Sequence, residues 1–266
     1  MQGRLLPLYR GMYQAHPAGY WKEEFKIAKK LGLNCIEFIF DHHEAEKNPL
    51  LNSAGIKEIK KIVQTTGVEV LSICADYFME APIHSDNFAI VDESLNILNR
   101  LIQNAPLINV RDIIIPCVDQ SRLKSKNDID NFVNNIKLVI KTAETEGVNI
   151  CLETDLQPLA FANMLDSIGS KNATVNYDIG NSAATGYDPT EEFKAYGDKI
   201  TDLHIKDRKL NGGSVPLGTG NANFTKIFDL LLKYEYQGIM IFQAYRDNEG
   251  VKIFKDQLSW FYKNFK

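Results

Sequence analysis

No block of lysine and arginine interrupts this chain. Its 30 basic residues are scattered and outnumbered by 34 acidic ones, for a net charge of −4 across 266 residues. A duplex-DNA binder needs a cationic face to displace counterions, so nucleic acid is excluded as a partner. No apolar run approaches the ~20 residues of a membrane helix, which excludes a spanning protein. Met1-Gln2-Gly3-Arg4 leads straight into a strand pattern with no signal peptide, so a cytoplasmic location is expected. Cysteine is sparse. Cys35, Cys74, Cys117 and Cys151 each lie inside an apolar run, and none belongs to a CxxC or Cys/His cluster. They read as reduced, buried small hydrophobes. A Ser/Gly-rich linker and low-complexity tracts are also missing, so residues 1–266 are expected to form one domain.

What is present is a rhythm. A helical stretch ends at a glycine, and a short apolar strand follows at once. Gly32 precedes Cys35 to Phe40, Gly67 precedes Val70 to Cys74, Gly147 precedes Ile150 to Glu153, and Gly238 precedes Ile239 to Phe242. Glycine after a helix takes the left-handed conformation that closes it and turns the chain. Met1 to Leu5, Asp112 to Pro116, Ala173 to Asp178 and Ile200 to Lys206 add four strands of the same kind. Between them run helical stripes: Trp21, Phe25, Ala28 and Leu31; Phe132, Ile136, Val139 and Ile140; Ile227, Leu230, Leu231 and Tyr234; Phe254, Leu258 and Phe261. Asp86 offers an N-cap for a helix running toward Asn104, before Pro106. Eight strands alternating with about eight helices, one unit per ~33 residues, predict a parallel (β/α)8 TIM barrel. No GxGxxG follows the first strand, which argues against an open dinucleotide-binding sheet.

Barrel enzymes place their chemistry at the C-terminal ends of the strands. Here those ends carry Glu37, Asp41, His42 and His43; Asp76; Glu153 and Asp155; Asp178; His204, Lys206 and Asp207; and Gln243, Tyr245 and Arg246. In Asp202 to Arg208 the residues alternate, Leu203 and Ile205 against Asp202, His204 and Lys206. Glu153, Asp178, His204 and Gln243 occupy lumen-facing positions on four consecutive strands. Two carboxylates, an imidazole and an amide oxygen suit one divalent ion, Mn, Mg, Co or Zn. Without an ion the two carboxylates repel; the alternative from spacing alone is a metal-free hydrogen-bonded rim. Lys206 and Arg246 are solvated or paired rim cations, or anion contacts if the substrate is phosphorylated or carboxylated. The Gly212-Gly213 and Gly218-Thr219-Gly220 segments read as a flexible loop, with backbone amides that can also face an anion. Trp21, Phe40, Tyr77, Phe78 and Tyr187 are candidates for the pocket wall or for ordinary core.

The chain resembles the xylose isomerase-like barrel superfamily of sugar and sugar-phosphate isomerases and epimerases. The resemblance spans essentially the whole chain. It is carried by Leu152-Glu153, by Asn176 to Asn181, by Leu203 to Asp207, and by the loop Val215 to Gly220. It implies one divalent ion held by Glu153, Asp178, His204 and Gln243, and a small carbohydrate substrate. Pairing into a homodimer through outer helices fits such barrels. Two departures stand out: Gln243 replaces the family's second Glu, and Asn181 lies where many relatives place a substrate-contacting His. Gln243 has no titratable group, so the symmetric two-carboxylate mechanism does not carry over.

The expected function is a metal-dependent isomerase or epimerase of a small sugar, sugar phosphate or polyol, acting through an enediolate formed at a metal-chelated carbonyl. Glu153 is the candidate base, and the second proton-transfer group is one of Glu37, His42, Asp76 and Lys206. Arg246, Asp76, Asn181 and His42 are the expected substrate contacts. A dehydratase of a cyclic polyol or dehydroshikimate-like acid is the rival enzyme reading, since it needs only one base. A non-catalytic sugar-binding barrel is the rival outside catalysis. The related endonucleases use a His-rich trinuclear centre, which five histidines, most of them off the required strands, do not supply.

Overall fold

The computed structural model describes residues 1–2, 5–247 and 250–265. Seven parallel strands form one sheet in chain order: β1 (Cys35–Ile39), β2 (Glu69–Cys74), β3 (Asp112–Cys117), β4 (Asn149–Thr154), β5 (Ala173–Asp178), β6 (Ile200–Ile205) and β7 (Ile239–Phe242). Around them run helices α1 (Lys22–Lys30), α2 (Ser53–Thr66), α3 (Tyr77–Glu80), α4 (Phe88–Asn104), α5 (Lys126–Glu146), α6 (Pro158–Ile168), α7 (Ile179–Thr185), α8 (Pro189–Tyr196), α9 (Phe224–Lys233) and α10 (Val251–Asn264). All residues of β3 and β5 are buried, as expected of parallel strands covered on both faces. The single-domain TIM barrel expected from the alternation is what the chain forms.

The Gln2 N–H donates to Phe242 O on β7 at 3.2 Å, and the Glu37 N–H on β1 donates to Met1 O at 2.8 Å. Gln2 and Glu37 make one isolated parallel bridge. The N-terminal segment therefore stands between β7 and β1 and nearly closes the barrel. The regular strand expected over Met1 to Leu5 reduces to this bridge among the described residues, since Gly3 and Arg4 lie outside them.

The helical stripes face inward as expected: Phe25 and Ala28, Phe132 and Ile136, Ile227 and Leu231, and Phe254 and Leu258 are all buried. Gly67 and Gly147 close α2 and α5 with φ of 74° and 68°. Two local expectations fail for physical reasons. Gly238 does not close α9, because Glu235 takes the left-handed turn at φ 52°. Gly238 instead permits close approach: a Cβ there would lie 2.2 Å from Thr201 O. The cap of α4 is Asn87 rather than Asp86, since the Asn87 side chain accepts the Ala89 N–H.

Trp21, Phe40 and Phe78 belong to the core rather than to a pocket wall. Trp21 packs edge-on against Phe25 and Phe38, with ring centroids 5.9 and 5.4 Å away. Phe40 packs on Tyr77 at 5.4 Å. The four cysteines carry free thiols; Cys74, Cys117 and Cys151 are buried, while Cys35 is only half-buried. Among the described residues no helix is long and apolar enough to cross a membrane.

Candidate active site

His204 on β6 is fully buried at the centre of the lumen. Its Nδ1 lies 3.7 Å from Glu153 Oε2 on β4 and 3.7 Å from Asp178 Oδ2 on β5. Its Nε2 faces the other way, 3.0 Å from Glu37 Oε1 on β1. These contacts follow from register: Asp178 pairs directly with His204 across β5 and β6, so both side chains point inward at one height. One strand back, Asn176 donates its amide to Glu153 Oε2 at 2.8 Å.

Lys206 stands between this group and the pocket. Its Nζ donates to Asp178 Oδ2 at 3.1 Å and to Gln243 Oε1 at 2.6 Å. Its partners are thus Asp178 and Gln243, not the neighbouring Asp207. Gly180 makes room for the stem, since a Cβ there would lie 2.6 Å from Lys206 Cγ. Asp178 also caps α7, its Oδ1 accepting the Asn181 N–H at 2.9 Å. The cap aims Asn181 back into the site: its Nδ2 donates to Glu153 Oε1, and its Oδ1 accepts from Arg208 Nη1 at 2.7 Å.

The cavity above has a volume of about 250 Å³, below the usual drug-sized range and suited to a small ligand. Glu153, Asn181, Lys206, Arg208 and Gln243 line one side, and Gln14, Asp41, Asp76, Glu80 and Asp119 line the other. Of the residues expected at the site, Glu153, Lys206, Gln243, Asp76 and Asn181 therefore meet around one cavity, with Asp178 and His204 directly beneath Lys206. Three others lie apart from it. Glu37 is fully buried on the far side of His204. His42 is exposed at the rim, its ring against Tyr77 and its Nδ1 3.8 Å from Glu80. Arg246 packs over the Tyr13 ring at 4.6 Å, outside the cavity lining. The cavity's arginine is instead Arg208, which continues the alternation of His204 and Lys206. Asp207, of opposite parity, is buried and accepts the backbone N–H groups of Gly218, Gly220 and Ala222. Those glycine amides serve to fix the loop after β6.

Surroundings split the carboxyl groups. Burial, reinforced by the Asp178 charge, raises Glu153 to about 7 although His204 and Lys206 oppose it. Burial acts against the charge of Asp178 too, but Lys206, His204 and the Asn181 N–H outweigh it and hold that carboxyl well below the usual range. Burial raises Asp76 to about 6, against hydrogen bonds from Gln14 and Cys74. Burial disfavours charge on His204, yet Glu37, Asp178 and Glu153 hold it protonated well above the ordinary range. Burial and the Glu37 charge push Asp202 far up.

Among the described residues two groups of acid and imidazole donors could hold a metal ion: Glu153, Asp178 and His204, and Glu37, Asp202 and His204. The first fits an ion by its chemistry. Two carboxylates crowd one nitrogen, and a cation, the Lys206 ammonium, already bridges Asp178 to Gln243. Only the first borders the cavity.

Residues 25–264 match the xylose isomerase-like TIM barrel family. The chain is 27% identical over 263 residues to L-ribulose-5-phosphate 3-epimerase UlaE of Escherichia coli (strain SMS-3-5 / SECEC), across 93% of this chain and 90% of that protein. It is similar in structure to D-psicose 3-epimerase from Clostridium cellulolyticum H10, solved with D-tagatose, at a TM-score of 0.72, 18% identity and 93% of each chain. It is also similar to a xylose isomerase-like TIM barrel protein from Mycobacterium smegmatis in complex with magnesium, at a TM-score of 0.71, 17% identity, 93% of this chain and 88% of that one. At such identities these structures share the fold. With the motifs on β4, β5 and β6 and a match over most of its length, the chain belongs to the xylose isomerase-like TIM barrel family.

Proposed function

We propose that this chain is a metal-dependent epimerase or isomerase of a small ketose or ketose phosphate. The observation that carries the reading is the convergence of Glu153, Asp178 and His204 at the base of the cavity, with Lys206 and Gln243 above them. Glu153 Oε2, Asp178 Oδ2, His204 Nδ1 and Gln243 Oε1 are the atoms that would hold the ion. Bound there, a divalent cation supplies Lewis-acid polarisation of a substrate carbonyl and balances negative charge. The names of the two epimerase relatives support a ketose as substrate.

Glu153 removes the proton beside the carbonyl. Burial and the Asp178 charge raise it in the ion-free site, and a cation held there would favour the ionised form that a base needs. Asn176 and Asn181 fix its two oxygens, so the carboxylate meets the substrate in one orientation. Gln243 cannot serve as the second acid or base. Lys206, bonded to its amide oxygen, lies beside that position and returns a proton to the opposite face of the carbon. Arg208 and Asn181 contact substrate oxygens from the cavity wall. The absence of a carboxylate at position 243 favours one further reading, a dehydratase of a cyclic polyol, which needs a single base.

The test is incubation of the Mn²⁺-loaded protein in D₂O with ketopentoses, ketohexoses, their phosphates and cyclic polyols. Deuterium beside the carbonyl together with an epimer or aldose product is the expected result. Loss of water from a polyol would favour the dehydratase, and no exchange with any of them would overturn the proposal.

A further inference from the structure

The lower half of the His204 environment has no part in the chemistry just described. Glu37 is fully buried and borders no part of the cavity, so it has no route to a substrate. It is nevertheless held with care. Its Oε2 accepts the Ser72 hydroxyl of β2 at 2.7 Å, and Glu37 pairs with Ser72 across the two strands. Its backbone N–H donates to Met1 O at the barrel seam. Its Oε1 lies 3.0 Å from His204 Nε2 but makes no aligned hydrogen bond to the ring in its present orientation. Aligning the two requires the imidazole to turn.

The imidazole has two unlike sides. Nδ1 faces Glu153 and Asp178 near the cavity, and Nε2 faces Glu37. A histidine that ligates through one nitrogen keeps its proton on the other. A carboxylate accepting that proton fixes the tautomer, orients the ring and raises its basicity. Asp202, the other acid on this side, makes no well-aligned hydrogen bond through either oxygen among the described residues, and the Ser72 hydroxyl near it is directed to Glu37.

We propose that Glu37, anchored by Ser72, is a positioning residue that keeps the His204 proton on Nε2 and turns Nδ1 toward the ion. The inference rests on the reading of Glu153, Asp178 and His204 as a metal site. It goes further by assigning which nitrogen ligates and which residue enforces it. Glu37 acts through His204 and touches neither substrate nor ion.

The test uses the full chain, stripped with a chelator, and needs no sugar. Mn²⁺ binding is titrated in the parent, Glu37→Gln and Ser72→Ala, with folding checked by circular dichroism. The expected result is one ion per parent chain, binding weakened roughly ten- to hundredfold in Glu37→Gln at unchanged stoichiometry, and a smaller loss in Ser72→Ala. In the ¹⁵N spectrum of the Zn²⁺-loaded parent, His204 Nε2 is expected to carry the proton and Nδ1 the metal. The Nε2–H signal should shift in both variants, which a merely structural role would not produce. Unchanged affinity in a folded Glu37→Gln protein would overturn the inference while leaving the function standing. So would metal on Nε2, or a second ion that Glu37→Gln removes, since Glu37 would then be a ligand. A parent that binds no ion would overturn both. If Glu37→Gln fails to fold, Ser72→Ala and the parent spectrum decide.

Discussion

The barrel lumen contains two tiers of carboxyl groups that share one imidazole, and their neighbours differ. In the upper tier Glu153 accepts amide hydrogens from Asn176 and Asn181, while Asp178 accepts from the Asn181 N–H and from Lys206. In the lower tier Glu37 accepts the Ser72 hydroxyl and lies beside the His204 ring, and Asp202 makes no well-aligned hydrogen bond among the described residues. Burial is nearly complete in both. The difference lies in donors and in access. Lys206, His204 and the Asn181 N–H keep buried Asp178 ionised, while burial beside the Glu37 charge pushes Asp202 toward its protonated form. The upper tier can therefore offer negative charge to a cation and trade a proton with a substrate. On the proposed function the lower tier acts through His204, since neither of its acids borders the cavity.

The comparison can be broken most forcefully at Glu153. Glu153→Gln keeps the size and the Asn contacts but removes the base, so α-proton exchange into D₂O should fall by about 10² to 10⁴. Exchange as fast as the parent's would move the base elsewhere, with Asp76 the next carboxyl on the cavity. Lys206→Met separates ion binding from proton transfer. Conversion to product should fall about a hundredfold, while Mn²⁺ binding should equal or exceed the parent's, because the ammonium no longer competes for Asp178. Weaker Mn²⁺ binding in that variant would instead make Lys206 a support for the site.

A smaller effect calibrates burial alone. Glu24 lies outside the lumen, buried, and accepts the Leu5 N–H. Burial raises it to about 7 from an ordinary 4.5. The folded state therefore holds this proton where the unfolded chain has lost it. Its contribution to stability is complete below pH 4.5, declines as the pH rises to about 7, and is then constant. Glu24→Gln should flatten the fall in urea midpoint across that window, a difference of up to about 3 kcal/mol, with no change in activity. A parallel slope in the two proteins would place the titration on another group.

Much of this arrangement is legible in the sequence, because glycine-closed helices and period-two strands are local signals. Glu153, Asp178, His204 and Gln243 stand out since each occupies an alternate position at a strand end. Alternation identifies the face of a strand but not the height along the barrel axis. Glu37 shows the limit: it faces the lumen as expected, yet lies below His204, where β1 also shifts register between Ile36 and Glu37. Arg208 could have been found by extending the parity of His204 and Lys206 by one more step. Arg246 has the right chemistry at a strand end, but the stacking on Tyr13 that holds it outside the cavity lining joins residues far apart in the chain. The eighth stave reads as a strand by composition; of it the described residues show the Gln2–Glu37 bridge, Gly3 and Arg4 lying outside them.

The most direct measurement is the number of Mn²⁺ ions bound per chain, by the parent and by Asp178→Ala. Asp178 belongs to the upper tier alone, facing His204 Nδ1 and Lys206 and capping α7. The structure predicts about one ion per parent chain and affinity reduced by more than about a hundredfold in the variant, a larger loss than removal of a supporting residue produces. Binding of less than about 0.2 ion per parent chain, or binding that survives the loss of Asp178, would contradict the assignment of the upper tier as the metal site.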